Sequence, residues 1–241
     1  MDFQAIEELN KELTSATAHE VVATILSRFR GKVALSSSLS IEDQVLTDLV
    51  VKEDASTRIF TLDTGRLFPE TYTLIDKTNK KYDIKLEVFF PESKSVEQLV
   101  AKRGINLFYN SIEDRKHCCS VRKLEPLKRA FQGLEVWICG LRSAQSITRL
   151  GTPVVEYDFA NKLIKVNPLI NWSEEEIWNY IKLHDVPYNE LHDKGFTSIG
   201  CQPCTRAIKA GEEVRAGRWW WEEPEHKECG LHNRPANKAN T

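Results

Sequence analysis

Cys118-Cys119 and Cys201-Gln202-Pro203-Cys204 set four thiols in two close pairs, a donor set able to wrap one metal centre. A structural zinc ion draws on the same ligands, but its usual pairing is C-x₂₋₄-C, and adjacent cysteines are unusual for it. An iron–sulfur cluster accepts thiolates on separate irons, so neighbouring cysteines need not reach one ion. Free cytosolic thiols are the plain alternative. Cys229 stands apart, twelve residues from the C-terminus between Glu228 and Gly230, placed like a nucleophile or redox thiol. Nothing beside it in sequence lowers its pKa, so its activation needs cations brought to it, with Arg215 and Arg218 the candidates. Cys139, in the apolar run 136–140, reads as a buried small hydrophobe.

Three further segments carry polar side chains suited to an anionic ligand. Ser36-Ser37-Ser38-Leu39-Ser40 ends an apolar run and leads into a helix, a place for a phosphate or sulfate on backbone N–H groups, or for an ordinary Ser cap. Leu62-Asp63-Thr64-Gly65-Arg66 offers a carboxylate, a permissive glycine and a guanidinium; an Asx turn with a solvated arginine is the alternative. Gly140-Leu141-Arg142-Ser143-Ala144-Gln145, continuing to Arg149, suits a forked grip on an anion. Lys123 follows the cysteine pair by four and is expected about one helical turn beyond it. Trp219-Trp220-Trp221 cannot all face one side of a helix, and Arg215 and Arg218, three apart, could share a helical face.

These segments need a scaffold, and the chain predicts one. Amphipathic helices are expected at about 3–13 and 18–29. Apolar strands at 32–36, 58–62, 84–90, 136–139 and 162–166 then alternate with helices, one of them starting near Pro69. Such alternation implies an α/β fold with a single doubly wound, mostly parallel sheet and helices on both faces, whose ligands bind beyond the strands' carboxyl ends. A helix over about 172–182 has a Ser cap and an acidic first turn. The expected division is 1–210 as a nucleotide and metal domain and 211–241 as a mobile C-terminal segment carrying Cys229. A net charge of −2 argues against nucleic acid as a partner, and no apolar run is long enough to span a membrane. The acidic N-terminus is unlike a signal peptide, so the expected location is cytoplasmic.

Taken together, residues 36–43, 62–71, 118–127, 140–146, 200–205, 218–222 and Glu228-Cys229-Gly230-Leu231-His232 resemble the assimilatory adenylyl-sulfate reductases. The motifs match in order from about residue 30 to 232. Phosphoadenylyl-sulfate reductases resemble the chain in the loops and the final motif but typically lack the paired cysteines. The fold implied is that of the adenine nucleotide α-hydrolases, although Ser37-Ser38 replace the glycines of the related phosphate loop. The activity implied is reduction of adenosine 5′-phosphosulfate to sulfite and AMP through an S-sulfocysteine on Cys229, within sulfate assimilation and cysteine biosynthesis. Reduced thioredoxin or glutaredoxin is the implied electron donor. The alternative is a phosphoadenylyl-sulfate reductase or an enzyme accepting both nucleotides. A homo-oligomer is compatible with either.

The resemblance also implies residue roles. A [4Fe–4S] cluster would lie on Cys118, Cys119, Cys201 and Cys204, and Cys229 and Lys123 would be catalytic. Substrate would be held by Ser36, Ser37, Ser38, Leu62, Asp63, Gly65, Arg66, Gly140, Arg142, Gln145, Arg149, Arg215 and Arg218.

Overall fold

The computed structural model of the chain describes residues 3–145, 149, 151–223 and 227. Its strands are β1 (Val33–Ser36), β2 (Arg58–Leu62), β3 (Glu87–Phe89), β4 (Val136–Ile138), β5 (Val155–Asp158) and β6 (Leu163–Val166). They form one sheet in the order β3-β2-β1-β4-β6-β5. β1 pairs in parallel with β2 and β4, as do β2 with β3 and β4 with β6, whereas β5 runs antiparallel to β6. The chain winds outward from β1 through β2 to β3, then returns to lay β4 on β1's other side. That reversal creates a switch point, where a crevice opens beyond the carboxyl ends of β1 and β4.

The expected mostly parallel α/β sheet is borne out, with differences at the strand ends. The third strand begins at Glu87 rather than 84, because residues 84–86 wrap the end of a helix: Asn79 takes Ile84 N–H on its carbonyl and Leu86 N–H on its side chain. The strand expected over 162–166 starts one residue later, since Lys162 turns with φ +58°. β5 was not foreseen. It lies at the sheet's edge, half-exposed beyond Val155, and its polar alternation reads as loop.

The helices are α1 (Phe3–Leu13), α2 (Ala18–Arg28), α3 (Ile41–Glu53), α4 (Pro69–Tyr82), α5 (Ser93–Arg103), α6 (Ile112–Cys119), α7 (Glu125–Ala130) and α8 (Glu174–His184). Local rules set several of their starts. Thr17 with Glu20 and Ser173 with Glu176 form capping boxes for α2 and α8, and Pro69 opens α4. α3 departs from the amphipathic pattern, being buried on every side from Ile41 to Val50. It lies between β1, α2 and α8, so its acidic first turn, Glu42 and Asp43, is driven into the interior beside the switch point.

Residues 211–223 pack as part of this body. Thr205 and Arg218 form an antiparallel bridge, Arg206 N–H donates to the Gly217 carbonyl (3.0 Å), and Trp219 N–H donates to the Cys204 carbonyl (3.2 Å). Gly217 permits the contact, since a Cβ there would lie 2.2 Å from the Arg206 oxygen. Residues on the two sides of position 210 are thus joined by backbone hydrogen bonds.

Candidate active site

A cavity of about 190 Å³ opens at the switch point. Ser36 and Ser37 from the end of β1, Thr61 and Leu62 from β2, and Gly140 after β4 form part of its wall. Lys123, Arg149, Arg215 and Arg218 bring four cations to the same cavity from three separate segments. A pocket lined by small hydroxyls and cations has the chemistry to accept an anionic ligand.

The serine loop achieves this differently from a phosphate-cradling loop. Ser37 N–H donates to the Phe60 carbonyl (2.8 Å), Leu39 N–H to Ser37 Oγ (3.1 Å), and Ser38 N–H to Asp43 Oδ2 (2.6 Å). Three amides of this loop are thus bonded within the protein. Ser40 occupies the N-cap position of α3 without a side-chain capping bond and lines the cavity instead.

Asp43 locks this corner. Its Oδ2 also accepts from the Ser38 hydroxyl (2.6 Å), and its Oδ1 accepts from Gly140 N–H (3.0 Å). A Cβ on Gly140 would sit 2.4 Å from Asp43 Oδ1, so only glycine lets β4's end come this close. Burial outweighs the donors and pushes the Asp43 carboxyl up to about 6.

Arg142 and Arg149 part company. Arg142 is buried at 3% exposure against Glu42, its Nε donating to Oε1 (2.9 Å), and it does not line the cavity. Arg149 and Gln145 do line it. The second strand's loop divides likewise. Leu62 borders the cavity, whereas Asp63 closes an Asx turn, its Oδ1 accepting from Gly65 N–H (2.7 Å) and Tyr72 OH (3.0 Å). Arg66 turns to the opposite side, donating to the Ile105 carbonyl (2.5 Å) and Asn106 Oδ1 (3.0 Å).

On that side lies a second, smaller cavity of about 20 Å³, bordered by Cys118, Cys119, Cys201 and Cys204. Tertiary folding thus gathers two pairs of thiols that are some eighty residues apart. Arg66, Arg115, Arg122 and Lys123 share its wall. Thr64 Oγ1 lies 3.2 Å from Cys201 Sγ, and Arg122 Nη1 donates to the Thr64 carbonyl (2.7 Å). Burial raises the Cys118 thiol and pushes Cys204 up to about 12.

The cysteine donor set fits an iron–sulfur group. The four thiols border one small cavity, although among the described residues no three Cys, His, Asp or Glu side chains are grouped to hold a single metal ion. Buried Arg122 Nε has no hydrogen-bond partner among the described residues, leaving a donor at the cavity wall. Such an orphan suits an acceptor occupant.

Helix α6 does not continue as an α-helix past the cysteine pair. Residues Ser120–Leu124 form a π-helical turn, with Glu125 N–H donating to the Ser120 carbonyl five residues back. The wider turn shifts the register of the residues that follow the cysteine pair, and Lys123 and Cys118 both border the smaller cavity. The expectation of one α-helical turn is corrected in register, yet Lys123 stands on the wall of both cavities.

The C-terminal arginines also lack a common helix. Residues 214–217 turn, and Trp219 adopts φ +40° with 1% exposure. Its ring lies 4.7 Å from the guanidinium carbons of both Arg115 and Arg218. The Arg218 guanidinium passes over Gly200, where a Cβ would be 2.4 Å away. Arg215 Nη2 donates to the Lys227 carbonyl (2.8 Å), two residues before Cys229. Cys229 itself lies outside the described residues. The buried-hydrophobe reading of Cys139 holds: it is 3% exposed, with its thiol 3.2 Å from Asn167 Oδ1. Sequence reasoning missed Glu42, Asp43, Thr64 and Trp219 as builders of the site. The one available signal was a pair of acids in the first turn of a helix at a strand end.

Residues 32–207 match the family model described as the phosphoadenosine phosphosulfate reductase domain. The chain is 50% identical over 219 residues to an adenosine 5′-phosphosulfate reductase of Allochromatium vinosum, covering 91% of this chain and 85% of that protein. In three dimensions it resembles the phosphoadenylyl-sulfate reductase of Candida auris in its phosphate complex. That likeness has a TM-score of 0.73 at 27% identity, over 86% of this chain and 98% of the other. An FMN adenylyltransferase of Candida glabrata shares the fold, with a TM-score of 0.55 at 17% identity over 90% and 81% of the two chains.

Proposed function

The chain belongs to the phosphoadenosine phosphosulfate reductase domain family, and we propose that it reduces adenosine 5′-phosphosulfate to sulfite and AMP. The observation that carries this reading is Lys123 on the wall common to the switch-point cavity and a cavity bordered by four thiols. Identity of 50% to an adenosine 5′-phosphosulfate reductase favours the nucleotide without a 3′-phosphate.

In this reading Ser36, Ser37 and Leu62 border the nucleoside, and Lys123, Arg149, Arg215 and Arg218 meet the phosphosulfate. The Cys229 thiolate attacks the sulfur, the sulfur–oxygen bond to phosphate breaks, and AMP leaves with the bonding electrons. The enzyme then carries S-sulfocysteine. A dithiol of the thioredoxin or glutaredoxin class attacks the Cys229 sulfur, releases sulfite and ends as a disulfide. The Arg215 contact to the Lys227 carbonyl supports this role, because it holds the chain two residues short of Cys229 against a cavity arginine. Cys118, Cys119, Cys201 and Cys204 would hold a [4Fe–4S] cluster, which when bound supplies fixed charge and a rigid tie between the two cysteine segments. Lys123 and the neighbouring arginines offset that charge beside an anionic substrate.

The test is direct. Anaerobically purified protein should contain iron and release sulfite from adenosine 5′-phosphosulfate faster than from its 3′-phosphorylated form. Mixed with nucleotide alone, it should gain a sulfonate on Cys229, and Cys229→Ser should lose sulfite release while keeping iron. Cys204→Ser should lose both iron and thermal stability, since a group bound to the native state stabilises it. Full activity in the Cys229→Ser protein would sink the nucleophile assignment.

A further inference from the structure

We infer that Glu42 is a positioning residue for Arg149, acting through Gln145. Glu42 Oε1 accepts two hydrogen bonds, from Arg142 Nε (2.9 Å) and from Gln145 Nε2 (2.9 Å). Gln145 Oε1 in turn accepts from the Arg142 backbone N–H (3.3 Å) and from Arg149 Nη1 (2.5 Å). The polarity of this relay is fixed by its first member. A carboxylate only accepts, so Gln145 must turn its NH₂ toward Glu42 and its oxygen toward Arg149. A guanidinium only donates, and it therefore finds an acceptor in a defined place.

The relay also divides the labour of two arginines in one loop. Glu42 is 4% exposed and satisfies the Arg142 charge internally, so Arg142 acts as an anchor. Arg149 donates to the Gln145 oxygen and borders the cavity. The chemistry recognised there is a singly or doubly charged oxyanion on a nucleotide. This inference rests on the proposed reading of the cavity as a nucleotide phosphosulfate site.

The experiment is a double-mutant cycle in the full-length holoprotein, read as kcat/KM for adenosine 5′-phosphosulfate and as affinity for uncharged adenosine. Glu42→Gln should lower kcat/KM by about 10–100-fold, the scale of a displaced binding group. In the Arg149→Ala background the same change should cost less than about threefold, because the relay no longer has an output. Adenosine affinity should stay within about twofold in every variant, which a general loss of structure would not allow. Glu42→Gln leaves the Arg142 charge buried and unpaired; if it fails to fold, Gln145→Met breaks the relay without that defect and should give the same pattern. Equal losses with and without Arg149, for whichever variant folds, would overturn the inference. Wild-type protein that neither binds nor reduces the nucleotide would instead overturn the reading of the cavity, and the inference with it.

Discussion

The Arg115 guanidinium and the Glu222 carboxylate meet in a two-pronged ion pair, Nε to Oε1 at 2.9 Å and Nη2 to Oε2 at 2.7 Å, with side chains 1% and 3% exposed. Arg115 stands one turn before the cysteine pair, and Glu222 lies seven residues before Cys229 in sequence. The pair therefore binds the two ends of the proposed chemistry into one rigid unit. Glu222→Gln strands a buried charge, and the expected loss is about 3–5 kcal/mol, measured by urea unfolding. An unchanged midpoint would show that the segment's other contacts, the Thr205–Arg218 bridge and the buried Trp219 among them, suffice to hold it.

Gly200→Ala separates folding from binding. The added Cβ meets the Arg218 guanidinium at 2.4 Å, and the far end of a long side chain can move aside. Stability should change by less than about 1 kcal/mol, as for an ordinary substitution away from packed backbone. Arg218 leaves its place over the cavity, so the activity loss should match that of Arg218→Ala. Retained activity would show that the guanidinium's position over Gly200 is not the one used.

Asp43 gives a pH signature. Its folded value of about 6 stands above the ordinary 3.8, so the native state holds the proton more tightly than the unfolded chain. Stability from this group is full below about pH 4, falls as pH rises toward 6, and is level above. The stability of wild type minus that of Asp43→Asn should fall by up to about 3 kcal/mol between pH 4 and 6.5. A flat difference would place the carboxyl in the ordinary range.

Lys123→Ala should slow S-sulfonation at saturating nucleotide by more than the ~10²–10³ of a single oxyanion contact, because the lysine lines the switch-point cavity and the thiol cavity together. Iron content should be largely kept, since lysine is not a ligand. Rates within a few-fold of wild type would shift the role to the arginines.

The relation between sequence and site is clearest where two similar residues take different fates. Arg142 and Arg149 follow Gly140 in one loop, and nothing local distinguishes them. Arg142 is turned inward by Glu42, a hundred residues earlier in the chain. Asp63 looked like a ligand contact and is an Asx turn; Arg66 looked like its partner and faces the thiols. Sequence motifs marked the segments correctly but not the direction of each side chain.

What the sequence determined by itself were features set by neighbours within a few residues: the strand–helix alternation, the caps at Ser173 and Pro69, and the two thiol pairs. Short-range periodicity and capping chemistry are enough for these. Tertiary structure alone decided that the pairs at 118–119 and 201–204 border one cavity, that Asp43 locks the serine loop to Gly140, and that Lys123 stands between two cavities. Those outcomes depend on contacts across some eighty to a hundred residues and on a π-helical turn that shifts register by a fraction of a turn. Local sequence carries no signal for either, because their stabilisation comes from groups that meet only once the sheet has brought them together.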